Sequence, residues 1–210
     1  MEATRIPTRY GAELPEWVLE ELADVPECLP TVEHRMRLVH RLAGRNYHEG
    51  TGGPFAAIVV EEESGAVVSA GVNLVLASGL SAAHAEVVAL SLAQTRCGAW
   101  DLGGPGQPVH ELVVNWRPCV QCYGAVLWSG VRRLVIAGEG EELERLTGFD
   151  EGPLGEDWAE QLEARGITVQ RNVLRDDAVR IFGRYGDSVS QGGVTVYNAR
   201  GAYTARHAAT

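Results

Sequence analysis

Ala83-His84-Ala85-Glu86 is answered downstream by Pro118-Cys119-Val120-Gln121-Cys122. One imidazole nitrogen and two thiolates can hold a zinc ion with a fourth position open to water, whereas a purely structural zinc site usually recruits a fourth protein ligand. A glutamate two residues from the histidine can move protons without ligating. Around the first run, residues 83–94 have helical composition, which places His84 and Glu86 in the first turn of a helix. Pro118 suits the opening of a second helix over 119–128, where a missing N–H costs nothing. Cysteines three apart then share one face of the first turn, and the positive ends of the two helix dipoles favour thiolate at both.

The flanking segments supply a frame for these helices. A helix after the plausible cap Thr31 should end near Tyr47, because Gly50, Thr51, Gly52 and Gly53 make a turn before Pro54. Residues 55–60 and 66–71 read as two strands joined by an acidic hairpin turn. Residues 73–79 read as a loop and 112–115 and 133–137 as strands. A helix over 156–165, a strand over 166–170 and a helix over 176–185 complete the series, and strands alternating with helices indicate an α/β sandwich. The expected organisation is an N-terminal extension over 1–30 with a short packed helix, one domain over 31–187, and a mobile tail over 188–210. The Gly52-Gly53-Pro54 run lacks the lysine-serine ending of a phosphate loop and leads into a strand, so it reads as a tight turn.

At 210 residues the chain can bury a real core. Its net charge of −10 gives no footprint for nucleic acid, although a local basic groove remains open. The acidic, proline-rich first thirty residues contain no basic segment leading into an apolar one, and no apolar run approaches membrane-spanning length. The expectation is a cytoplasmic protein with no membrane partner. Cys28 and Cys97 are isolated and read as buried thiols rather than redox groups.

Zinc lowers the pKa of a bound water from about 15.7 towards roughly 7, and a neighbouring glutamate can pass protons to a ring nitrogen and a leaving amine. The chemistry that follows is hydrolytic loss of ammonia from an aminated heterocycle, and H-x-E joined to P-C-x-x-C is the signature of zinc nucleobase deaminases. His34, His40, His48, His110 and His207 could supply a fourth ligand in principle, yet none has matching local spacing. Over residues 34–185 the chain resembles the cytidine deaminase-like superfamily, most closely its guanine deaminase and tRNA adenosine deaminase branch. The resemblance rests on the zinc motifs and on Asn46, Gly52-Gly53-Pro54-Phe55, Asn73, Ala83-His84-Ala85-Glu86, Gly124-Ala125 with Trp128, and Gly148-Phe149-Asp150. It implies a three-layer α/β/α sandwich with a five-stranded mixed sheet, zinc on His84, Cys119 and Cys122, catalysis by Glu86, and a homodimer. It also implies that Phe55 packs on the substrate ring, that Asn73 bonds its polar edge, and that Ala85 borders it.

The chain departs from the family pattern at Arg117, where a glutamate is usual, and at Gln121, where methionine is usual. Arg117 either faces a polar or anionic group of the substrate or is a surface arginine paired with an acid. Trp116 and Trp128 could stack on a planar base or belong to the core, and Asp150 is either a second pocket carboxylate or a turn residue. The expected substrate is a small aminated ring: guanine or a related purine, or a pterin-like or triazine-like base. The alternatives are a tRNA adenosine deaminase and a noncatalytic, zinc-stabilised interaction protein.

Overall fold

The computed structural model describes residues 6–198. Its elements run α1 (Glu16–Ala23), α2 (Val32–Asn46), β1 (Ala56–Glu61), β2 (Val67–Val72), α3 (Val75–Ser78), α4 (Ala85–Cys97), β3 (His110–Val114), α5 (Val120–Ser129), β4 (Arg133–Ile136), α6 (Glu142–Thr147), α7 (Trp158–Glu163), β5 (Thr168–Gln170) and α8 (Arg175–Ser190). The strands form one five-stranded sheet in the order β2-β1-β3-β4-β5. β1 is antiparallel to β2 and β3, while β3, β4 and β5 run parallel.

The central strands are apolar almost without interruption because both of their faces are covered. Successive side chains point to opposite faces. Ile58, Val60, Val113 and Val135 pack with Met36, Leu42 and Phe182 in the layer of α2 and α8. Ala57, Val59, Leu112 and Leu134 pack with Ala89, Ala93, Val126 and Leu162 in the layer of α4, α5 and α7. The result is the expected three-layer α/β/α sandwich on a mixed sheet.

Two contacts decide where the helices begin. A Cβ on Gly71 of β2 would lie 2.4 Å from both the Ala85 carbonyl oxygen and the Ala89 nitrogen, so only glycine lets α4 lie this close to the sheet. After β3, buried Asn115 accepts from Ala56 N–H at 3.2 Å and donates to the Pro54 carbonyl at 2.9 Å. That pair ties the loop leading into α5 to the start of β1.

The structure differs from the sequence reading at several boundaries. His84 and Cys119 are the N-caps of α4 and α5, with extended backbone (φ −70°, ψ 155° and φ −64°, ψ 170°), rather than first-turn residues. The expected 73–79 loop contains α3, a single turn closed by Gly79 at φ 69°. The acidic stretch after β4 leads into α6, because fully buried Leu143 anchors it to the core. α8 continues to Ser190, past the expected boundary at 187/188. Val194, Val196 and Tyr197 then pack against the core, and Tyr185 donates to the Thr195 carbonyl at 3.1 Å. This part of the expected tail thus packs on the domain, and the rest of it lies outside the described residues. Cys28 is exposed rather than buried. α1 buries Trp17 and Val18, with the Arg45 guanidinium 5.0 Å over the Trp17 ring.

Candidate active site

The N-termini of α4 and α5 converge because each follows a strand of the same sheet. His84 Nδ1 lies 3.4 Å from Cys119 Sγ and 3.4 Å from Cys122 Sγ. Zinc held tetrahedrally at about 2.3 Å from sulfur and about 2.0 Å from nitrogen sets such atoms about 3.5 Å apart. The three donors thus fit zinc as they stand. Among the described residues, no fourth histidine, cysteine or carboxylate joins the group. His34 and His48 are exposed, His40 is buried on α2, and His110 donates to the Leu102 carbonyl at 2.7 Å. His207 lies outside the described residues.

The electrostatics of the cluster suit a metal. Cys119, which accepts hydrogen bonds from Cys122 and His84, is held down to about 4, although burial opposes this. Cys122 donates to that sulfur and is buried beside it, which pushes its own pKa up. Burial alone would lower His84, but its hydrogen bond to Cys119 and the nearby Glu86 charge carry it upward. Glu86, in the first turn of α4 and 7% exposed, is raised by burial and then by the Cys119 charge, with His84 opposing.

A cavity of about 400 Å³ opens over the cluster, a size typical of small-ligand sites. His84, Glu86 and Cys119 line it together with Phe55, Asn73, Trp116, Arg117 and Asp150. Phe55 meets Phe149 edge to face at 5.3 Å between centroids. Trp116 contributes to the lining while being almost wholly buried, its ring edge-on to Phe182 at 5.3 Å. Exposed Asp150 caps its own turn by accepting from Gly152 N–H at 2.9 Å. The Ala85 side chain is buried in the core where α4 approaches Gly71. Trp128 is a correction: it is 82% exposed on α5 and belongs neither to the pocket lining nor to the core.

Among the lining residues that the sequence reading missed, three carry polar groups into the cavity wall: Glu151, Tyr197 and Asn198. Glu151 directly follows the Gly148-Phe149-Asp150 run and is buried, and burial and the Cys119 and Glu86 charges raise its pKa well above the ordinary value against the pull of Arg117. Its position next to a recognised run was the available signal. Tyr197 and Asn198 come from the segment read as tail. For Tyr197 the signal was an aromatic residue following Val194 and Val196 at strand-like spacing.

This geometry is that of an α/β protein able to hold zinc on three protein donors, with a buried carboxylate beside them. Comparison with known proteins narrows the class. The pattern of the cytidine and deoxycytidylate deaminase zinc-binding region matches residues 30–138, and the chain belongs to that family of zinc-dependent deaminases. It is 32% identical over 135 residues to the guanine deaminase of Bacillus subtilis (strain 168), covering 64% of this chain and 81% of the relative. Its fold superimposes on the guanine deaminase of Nitrosomonas europaea with a TM-score of 0.81 and 43% identity, covering 87% of this chain and 99% of that one. A solved chain in complex with 2,6-diaminopurine is similar at 45% identity and a TM-score of 0.79, over 90% of this chain and 96% of that one.

Proposed function

We propose that the protein hydrolytically removes ammonia from a free purine base of the guanine type, with His84, Cys119 and Cys122 holding zinc and Glu86 moving the protons. The observation that carries this reading is the buried Glu86 carboxyl beside a three-donor cluster of which His84 and Cys119 line the cavity. Bound zinc supplies Lewis acidity, which lowers the pKa of a water from about 15.7 to roughly 7. Glu86 accepts one proton from the attacking water and delivers it to the ring nitrogen beside the reacting carbon. It then carries the second proton to the exocyclic amine. The water oxygen becomes the new carbonyl oxygen, the C–N bond breaks, and ammonia leaves.

Phe55 offers an aromatic face to the ring, Asn73 a polar contact to its edge, and Trp116 and Asp150 further borders of the cavity. The Arg117 guanidinium makes no ion pair or side-chain hydrogen bond among the described residues, and its Nε is buried without a partner. It therefore has donors to spend on an acceptor of the substrate. The likeness to guanine deaminases and to a chain binding 2,6-diaminopurine supports a purine. A tRNA substrate is the weaker reading, because the lining offers Asp150 and Glu151 with Arg117 as its one cation among the described residues, where a phosphate backbone calls for several. The homodimer and the cytoplasmic location belong to the same proposal. Exposed Trp128 on α5 supports the former, and the unpaired Cys28 and Cys97 support the latter. No helix among the described residues is long and apolar enough to cross a membrane.

The test is an ammonia-release screen of zinc-replete protein across purines, pyrimidines, pterins, triazines and their nucleosides, with Glu86→Gln as the blank. Guanine-type bases should react best, and Glu86→Gln should lose about 10²–10⁴-fold in kcat. Silence across the whole panel, or a Glu86→Gln protein as fast as wild type, would overturn the reading.

A further inference from the structure

One polar contact in the pocket has no part in the proton transfers above. Tyr197 arrives from beyond α8 and stands 124 residues from Asn73 along the chain. Its ring packs against Phe149 at 4.9 Å between centroids, and its hydroxyl sits between Gly53 and Asn73. The Gly53 N–H can only donate, so Tyr197 Oη accepts it at 3.0 Å. The single phenolic proton is then left for Asn73 Oδ1, at 2.5 Å. Asn73 Oδ1 also accepts the Val75 N–H at 3.1 Å. Both lone pairs of that oxygen are occupied, and a carboxamide turned over would set its NH₂ against the Val75 N–H. Asn46 Nδ2 holds the backbone on both sides, donating to the Gly53 carbonyl at 2.8 Å and the Asn73 carbonyl at 2.9 Å. What Asn73 has left is Nδ2, which makes no hydrogen bond among the described residues while Asn73 lines the cavity. Burial also pushes the Tyr197 hydroxyl pKa upward, so it keeps its proton.

We infer that Tyr197 is a positioning residue that fixes Asn73 as a hydrogen-bond donor, so that the pocket accepts a ring with an oxo group or unprotonated nitrogen on the edge facing Asn73 and disfavours an amino group there. The inference rests on the proposed reading in that Asn73 meets the substrate. A guanidinium also only donates, so Arg117 would reinforce the same preference.

Tyr197→Phe removes the hydroxyl and keeps the ring. Guanine and 2,6-diaminopurine are the probes: whichever amino group of the latter reacts, the other stands in place of an oxo group. With the phenolic proton gone, only the Val75 N–H still holds Asn73 Oδ1, so turning the carboxamide to accept from an amino group costs one hydrogen bond instead of two. The ratio of kcat/KM for guanine to that for 2,6-diaminopurine should then fall by about fivefold or more, mainly through KM, the size of one net hydrogen bond. A merely structural role would lower both values together, and a ratio unchanged within about twofold would overturn the inference.

A second arm measures equilibrium binding of the two bases to zinc-loaded Glu86→Gln protein, with and without Tyr197→Phe. If wild type releases no ammonia but the binding ratio shifts with Tyr197→Phe, the deaminase reading fails and the role of Tyr197 stands. If turnover is normal and neither ratio moves, the role of Tyr197 fails and the deaminase reading stands. Absence of binding by both bases in every arm overturns the inference as well.

Discussion

Arg117 shows how one side chain can carry information that a motif does not. It stands two residues before Cys119, where the family resemblance leads one to expect a glutamate, and the substitution inverts the charge at the cavity wall. Its backbone N–H donates to the Gly138 carbonyl at 2.8 Å, which pins the loop, while its charge opposes the upward shift of Glu151. Removing one charge-assisted hydrogen bond to substrate costs about 1.5–3 kcal/mol, so Arg117→Ala should lower kcat/KM on the true substrate by about 10- to 100-fold. The loss should lie in KM, because an edge contact holds the ring in ground and transition states alike. Steady-state kinetics identical to wild type would end the idea. At this scale the sequence was legible where chemistry restricts residue choice, as at His84, Glu86, Cys119 and Cys122. It was not legible at Trp128, whose environment depends on which face of α5 meets the sheet.

Between elements, the packing of α2 against α8 holds a buried histidine. His40 is 7% exposed, both ring nitrogens lack a hydrogen-bond partner, and the Asp177 carboxylate is 4.0 Å away. Burial lowers its pKa from 6.5 to about 4, with Asp177 opposing and Arg180 assisting. The folded protein thus holds His40 neutral where the unfolded chain would protonate it. The stability associated with neutral His40 is complete above pH 6.5 and is lost as pH falls towards 4. Between pH 7 and pH 5 this amounts to roughly 2 kcal/mol. Urea unfolding should show wild type losing about that much more than His40→Gln over the interval, and parallel pH profiles would remove His40 from the account. Elements themselves were legible where the hydrophobic period was strong, as in α2 and β1. α6 was hidden because its acidic start dominates the local composition, and the extent of α8 because its last turns are polar.

Over the whole molecule, the zinc donors join two crossovers of one sheet: α4, which follows β2, and α5, which follows β3. An ion there links the two helices directly, so its binding energy adds to folding. At a free zinc level 1,000-fold above Kd the gain is about 4 kcal/mol, and for a chain of this size each kcal/mol moves Tm by about 2–4 °C. Chelation should therefore lower Tm by roughly 8–16 °C and abolish ammonia release, with both restored by one zinc per chain. Glu86→Gln should keep the zinc and its Tm while losing activity. Calorimetry showing no shift on chelation would separate the cluster from metal binding.

The sequence alone determined the metal chemistry and the layer order. Zinc coordination and proton transfer admit few residue types, and a strand buried on both faces must be apolar along its length. Only the tertiary structure decided what surrounds the metal. It placed Tyr197 on Asn73 across 124 residues of chain, buried Glu151 at the pocket, and packed the Ala85 side chain into the core. Such contacts depend on how helices and the sheet approach one another, as at Gly71, and local sequence does not encode that distance.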